Sequence, residues 1–262
     1  MYRHYIDVFL EQYNWIREKL SIDKGRDEYA ARVLDNLLKN TNPKPDAIYE
    51  MISGRNAVVF GAGPSLLEHI RKLYDALISS TNTVIIAADG ATQAFLELGL
   101  APDIIVTDLD GDYKSIEESC TRRSLVLVHA HGDNIDRLYT YVPRLLSRCR
   151  DRVIGTTQTK PYGRIYNFGG FTDGDRGVYL AVFNNAERVL LAGMDLGIRI
   201  GRYSGRKTLD PVAYYRKLVK FEIAYKLLSW ISCNVKPLYT LNPGVAECSV
   251  YVSPETARII IR

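Results

Sequence analysis

The sequence predicts an α/β fold: an open, mostly parallel six-stranded sheet, covered by helices on both faces in a three-layer α/β/α arrangement, with an N-terminal helical cap. Three observations carry that expectation. From residue 56 onward, short apolar runs alternate with longer segments of helical period. The short runs are rich in Val and Ile without polar alternation, the mark of parallel strands buried on both faces. Acids, glycines or histidines stand where the runs end: Gly61 and Gly63, Asp89, Asp108 and Asp110, His131 and Asp133, and Asp195. In an open parallel sheet those ends share one edge, where ligands bind.

In chain order, residues 2–20 place Ile6, Phe9, Leu10, Tyr13, Ile16 and Leu20 on one helical face. A second helix follows Asp23 as its cap, with Ala30, Val33, Leu34, Leu37 and Leu38 on its stripe. The stretch NTNPKPD at 40–46 breaks the pattern and divides a helical cap (1–45) from an α/β catalytic domain (46–262). Strands are expected at 57–60, 83–88, 104–106, 125–130, 152–156 and 188–192. Helices are expected at 65–77, 91–98, from Ile135 through Leu145, at 177–183 and at 211–231. Two short extended pieces, 235–241 and 257–261, close the chain.

Composition narrows the function classes. The chain has 262 residues, 47% hydrophobic and 24% charged, enough for a full core. A net charge of +4 without any Lys/Arg block carries no nucleic-acid footprint. No apolar run approaches the ~20 residues of a membrane span, and MYRHYIDVFLEQ lacks the apolar core of a signal peptide. A cytoplasmic protein with small-molecule substrates is expected, and a homo-oligomer stays open. Cys120, Cys149, Cys233 and Cys248 form no CxxC pair, which argues against zinc and against a disulfide framework, so reduced, buried thiols are expected. Three Gln and three Met beside abundant Arg, Ile and Tyr hint at a hot-living source.

The chemistry centres on DIIVTDLDGD, residues 103–112, where an apolar run delivers Asp108, Asp110 and Asp112 in quick succession. In an extended segment Asp108 and Asp110 would point the same way and hold a hard cation such as Mg²⁺ between them, with Leu109 packed underneath. DxDG after a strand also fits a phosphatase of the haloacid-dehalogenase type, with Asp108 as nucleophile, but the motif lies mid-domain. Gly61-Ala62-Gly63-Pro64-Ser65 reads as a strand-to-helix link whose backbone N–H groups contact phosphate, or as a tight βα turn with a good helix start. It is neither a Walker A loop nor a full GxGxxG. Asp89-Gly90 ends the second strand, and Asp89 would serve a ribose in a nucleotide-binding Rossmann protein without phosphoryl chemistry. His129 and His131 read as packing or substrate contact rather than as metal ligands, and Asp133, beside Asn134, as a group that helps to hold Mg²⁺ or accepts a proton from an attacking hydroxyl. In GGFTDGDRG, Arg176 would fork onto phosphate oxygens, and Asp173 or Asp175 would accept from a ring N–H; the alternative is a capped loop. Lys160 is a second cation for the nucleotide.

Six stretches taken together resemble the archaeal 6-hydroxymethyl-7,8-dihydropterin pyrophosphokinases: GAGPSL (61–66), AADGAT (87–92), PDIIVTDLDGD (102–112), HAHGDN (129–134), NFGGFTDGDRG (167–177) and LAGMDLG (191–197). That family is similar in turn to the catalytic domain of thiamine pyrophosphokinases. The resemblance covers about residues 54 to 231. It implies a Rossmann-related, thiamine-pyrophosphokinase-like fold, with ATP as co-substrate and Mg²⁺ as cofactor. Diphosphate would pass to the hydroxymethyl group of a reduced pterin and AMP would leave, on a route to methanopterin- or folate-type cofactors. Asp89, Asp108, Asp110 and Asp133 stand where thiamine pyrophosphokinases have metal- and phosphate-site acids. HAHGDN replaces a lysine- and acid-containing segment of those enzymes, which favours pterin over thiamine as acceptor.

Overall fold

The computed structural model describes residues 2–41, 45–205 and 210–262, so the middle of the NTNPKPD break lies outside the described residues. The strands are β1 (Asn56–Phe60), β2 (Thr83–Ala88), β3 (Ile104–Thr107), β4 (Leu125–Ala130), β5 (Val153–Thr157), β6 (Ile165–Tyr166), β7 (Val189–Ala192), β8 (Leu238–Thr240) and β9 (Val250–Tyr251). They form one sheet in the order β6-β5-β4-β3-β2-β1-β7-β8-β9, and every neighbouring pair is parallel. The helices are α1 (Tyr2–Leu20), α2 (Lys24–Leu37), α3 (Pro45–Ile52), α4 (Leu66–Ser79), α5 (Ala91–Glu97), α6 (Tyr113–Thr121), α7 (Ile135–Cys149), α8 (Asp173–Phe183), α9 (Pro211–Asn234) and α10 (Pro254–Ile260).

Alternate residues of each strand feed opposite cores, as a period of two requires. Ala57 and Val59 of β1 join Val84, Ile86, Ile104 and Val106 beneath α1, α3, α8 and α9. Val58 and Phe60 face the other way, with Ile85 and Ala87, toward α4, α5 and α10. Farther along that second face, Ile105, Val126 and Val128 pack under α2, α6 and α7. The chain leaves β1 toward β6 and then returns through α8 to β7 on the other side of β1. That reversal opens a crevice above the carboxyl ends of β1 and its neighbours. The first two helices straddle the sheet: Phe9, Tyr13 and Ile16 of α1 enter the core on one face, and Ala30, Val33 and Leu34 of α2 enter the core on the other.

The open parallel α/β character matches the expectation, while the strand count is nine rather than six among the described residues. Of the additional strands, β8 lies within the extended piece expected at 235–241, and β6 and β9 are two residues long, too short to show a period. The segment expected to be extended at 257–261 is instead the end of α10, started by Ser253, whose Oγ accepts from Thr256 N, and by Pro254 in the first turn. A run of Ile misled the pattern there. The helix expected at 177–183 begins at Asp173, because Thr172 and Asp175 form a capping box in which Asp175 accepts from Thr172 N at 2.9 Å and from Phe171 N. Asp112 is not a third site acid; it caps α6, its Oδ2 accepting from Ser115 N at 3.1 Å. No described helix is long and apolar enough to cross a membrane.

The cysteines correct the expectation of free thiols. Cys120 is bonded to Cys149 and Cys233 to Cys248, leaving no free cysteine. Their sequence separations, 29 and 15 residues, hide the pairing, since α6 lies against α7 and the end of α9 lies against the loop before β9. In the chain-entropy account, loops of this size stabilise by about 3–4 kcal/mol per bridge. Urea unfolding with and without reductant should show a loss of that order for each bridge removed. Unchanged stability, or two or more thiols alkylated in the unreduced, unfolded protein, would contradict the pairing.

Candidate active site

The β2 and β3 ends place two acids side by side. Asp89 follows β2 and is almost fully buried. Thr107, the last residue of β3, donates from Oγ1 to Asp89 Oδ1 at 2.7 Å and accepts from Leu109 N at 2.8 Å, bending the chain sharply. Leu109 takes a left-handed φ of 66° and buries its side chain, so Asp108 and Asp110 are set by a turn rather than by an extended strand. Gly111 passes so close to Asp89 that a Cβ there would lie 2.7 Å from its Oδ2. The start of α8 adds the third acid. Oxygens of Asp89, Asp108 and Asp173 all lie within 4.8 Å of one another, and among the described residues this is the one group of acids, histidines or cysteines able to share an ion. An all-oxygen, all-carboxylate set suits a hard divalent cation.

The three carboxylates are not equivalent. Burial pushes Asp89 well above the ordinary carboxylate range, helped by a hydrogen bond with Asp110 and by the charges of Asp173, Asp110 and Asp108. Burial and the charge of Asp108 do the same to Asp173. Asp108 goes the other way: against its own burial, the hydrogen bond from His131 and the charges of Arg137 and Arg176 hold it far below that range. His131 Nδ1 accepts from Asp133 N at 3.2 Å, so the ring proton sits on Nε2, 3.0 Å from Asp108 Oδ2. Asn134 locks this turn, donating to His129 O and Asp108 O while accepting from His131 N. Burial holds His129 well below the ordinary imidazole range, and its Nδ1 pairs with Thr156 Oγ1 at 3.1 Å.

A cavity of about 370 Å³ opens over these groups. Of the residues singled out in the sequence, Gly61, Gly63, Asp89, Gly90, Asp108, Asp110, Asp133, Asp173 and Arg176 line it. Pro64, Ser65, Lys160 and Asp175 do not. Lys160 is exposed elsewhere, and Asp175 is spent on the α8 cap. The glycine-rich turn supplies wall rather than anion donors. Gly61 N donates to Ala192 O and Gly63 N to Gly193 O, both at 2.9 Å. Asp195 Oδ2 already accepts from Ser65 N at 3.0 Å and Ser65 Oγ at 2.7 Å, and Asn242 braces Asp195 and Ser65 from the β8 side. A resident carboxylate thus occupies the α4 N-terminus, and the turn is the tight βα joint that its Pro64 also allowed.

The positive charge comes from a place that no motif marked. Arg199, Arg216, Lys217 and Lys220 line the cavity with Arg176. Arg216 and Lys220 are one helical turn apart on α9, a spacing that could have shown a basic face on an otherwise apolar helix. Burial lowers the Lys217 pKa, and its Nζ donates to Ser204 O at 2.9 Å and Ser204 Oγ at 2.6 Å. Phe171 neighbours two of the cations, the Arg176 guanidinium and Lys220 Nζ each lying 6.0 Å from its ring centroid. From the other end, α2 brings Arg26 and Asp27 to the cavity.

Comparison with known proteins agrees with this geometry. Residues 31–201 match the family described as 6-hydroxymethylpterin diphosphokinase MptE-like. The chain is 40% identical over 232 residues to the 6-hydroxymethyl-7,8-dihydropterin pyrophosphokinase of Methanocaldococcus jannaschii, covering 86% of this chain and 94% of that one. It is 41% identical over 236 residues to the protein of the same name from Methanothermobacter thermautotrophicus, covering 87% and 96%. The corresponding figures for Pyrococcus furiosus are 39% over 224 residues, 85% and 92%. The match takes in the acids at the ends of β2 and β3, the HAHGDN turn and the start of α8, and with it the chain belongs to the MptE-like 6-hydroxymethylpterin diphosphokinase family.

Proposed function

We propose that this enzyme transfers diphosphate from ATP to the hydroxymethyl group of 6-hydroxymethyl-7,8-dihydropterin, with Mg²⁺, releasing AMP. We place the reaction in the cytoplasm, on a route to methanopterin- or folate-type cofactors. One observation carries the reading: three carboxylates with oxygens within 4.8 Å of one another line the same cavity as Arg176, Arg199, Arg216, Lys217 and Lys220. Clustered acids and bases in one cavity are what a metal-bound polyphosphate needs. Mg²⁺, when bound, neutralises phosphate charge and holds the chain of phosphates in line for attack.

The protein's own groups divide the remaining work. Asp108, oriented by His131, would hold the cation together with Asp89 and Asp173, whose burial favours their neutral form until a cation is bound. Asp110 steadies Asp89 and contributes a further charge at the rim. Arg176, beside Asp173 at the triad, and Lys217 and Lys220 of α9 donate to phosphate oxygens. Asp133, exposed at the mouth beside His131, accepts the proton of the attacking hydroxyl. The new bond joins the hydroxymethyl oxygen to the β-phosphorus, and the bond from that phosphorus to the α-phosphate oxygen breaks.

Purified protein with ATP, Mg²⁺ and the reduced pterin should yield AMP, and replacing the pterin with thiamine should yield none. Release of ADP, or turnover with thiamine alone, would overturn the reading. Asp108→Asn should lower kcat by about 10²-fold or more while the protein remains folded.

The raised acids set a pH dependence. Asp89 and Asp173 must lose protons to ligate, so Mg²⁺ affinity should climb with pH until both ionise, with proton release on binding. Calorimetry in buffers of different ionisation enthalpy reads that release; a pH-independent affinity would contradict it. In the metal-free protein the two acids bind protons more tightly folded than unfolded. Their contribution to stability is therefore fully present below the ordinary carboxylate range and lost as pH rises through the raised values.

A further inference from the structure

Asp27 is a buried carboxylate in the first turn of α2, 1% exposed, far in sequence from every motif of the site. Its partners are neutral donors: Tyr13 Oη at 2.6 Å, Gly132 N at 2.7 Å and Gln158 Nε2 at 2.6 Å. No Lys or Arg pairs with it among the described residues. Burying an ion without a counter-ion is costly, and an apolar residue would pack a helix more cheaply. What a carboxylate offers here is an end that only accepts.

Gln158, just past β5 and 3% exposed, stands between Asp27 and Arg176. An acceptor on one side and a donor on the other leave its amide a single orientation. Nε2 gives a hydrogen to Asp27, and Oε1 takes one from Arg176 Nη2 at 3.0 Å. The guanidinium then reaches Asp173 Oδ1 through Nη1 at 3.2 Å, on the carboxylate triad. Arg26 fastens the same helix to the HAHGDN turn by donating to Gly132 O at 2.9 Å. We propose that Asp27 is a positioning residue for diphosphoryl transfer, acting through Gln158 to hold the Arg176 guanidinium at the carboxylate triad.

This rests on the diphosphokinase reading, and isosteric exchanges test it. With its oxygen kept on the fixed Gly132 N–H, Asp27→Asn turns its own N–H toward Gln158 Nε2 and sets two donors against each other, and Gln158→Glu sets two carboxylates against each other. The double variant Asp27→Asn/Gln158→Glu restores one donor facing one acceptor, with the same net charge and volume, and still presents an oxygen to Arg176. Each single variant should lose about 10-fold or more in kcat with little change in KM, because the aim of Arg176 matters most in the transition state. The double variant should recover kcat to within about 3-fold of the parent. Single variants with parental kcat would overturn the proposal, and so would a double variant that stays impaired. If a single variant fails to fold, the double variant decides alone by the same criterion. Should the parent itself release no AMP, the diphosphokinase reading fails. The exchange is then read from unfolding midpoints, which must fall in the singles and recover in the double if the relay exists.

Discussion

Mutual repulsion among Asp89, Asp108 and Asp173 is the constraint to which the rest of the molecule answers. With oxygens no more than 4.8 Å apart, two ionised members would repel by about 3 kcal/mol or more even at an effective dielectric constant of ~20. Burial adds to that cost. The protein resolves it unevenly, keeping Asp108 charged against His131 while Asp89 and Asp173 retain protons more strongly than ordinary acids. Such a cluster is poised for a divalent cation, whose charge would relieve the repulsion among all three.

Much of the architecture serves to make that crowding possible. Thr107 turns the chain as β3 ends and simultaneously holds Asp89. Gly111 lets the loop pass over the same carboxylate without a side chain in the way. The capping box of Thr172 and Asp175 starts α8 four residues before the sequence pattern suggests, which is what delivers Asp173 to the triad. On the far side of the crevice, Asp195 and Asn242 tie the glycine-rich turn to β7 and β8, making it a rigid wall. Beyond Arg176 of α8, the cations come from α9 and the connection before it.

The sheet was largely readable because its central strands are uninterrupted Val and Ile runs, and because their ends carry the polar groups. The acids at the ends of β2 and β3 were readable for the same reason. What escaped has local physical causes. Strands β6 and β9 are stubs whose pairing is decided by neighbours rather than by their own pattern, whereas β8 lies inside the extended piece expected at 235–241. Asp112 and Asp175 look like site acids in a linear reading and turn out to cap helices, since a carboxylate near a helix start has two competing uses. The disulfides join residues 29 and 15 apart, contacts that only the packed helices bring about. His69 carried no spacing signal, yet its Nδ1 accepts from Gly193 N and anchors the turn after β7. Asp27 lay in a stretch read as a cap, and nothing in its flanking residues points to a partner 131 positions away.

The most direct measurement is a crystal structure of the protein grown with Mn²⁺ and a non-cleavable ATP analogue, with data collected for anomalous scattering. This account predicts an anomalous peak at about 2.1–2.4 Å from oxygens of Asp108 and of Asp89 or Asp173, with the phosphates lying between that peak and Arg176, Lys217 and Lys220. A bound nucleotide whose metal lies away from all three carboxylates, or nucleotide bound with no metal near them, would contradict it.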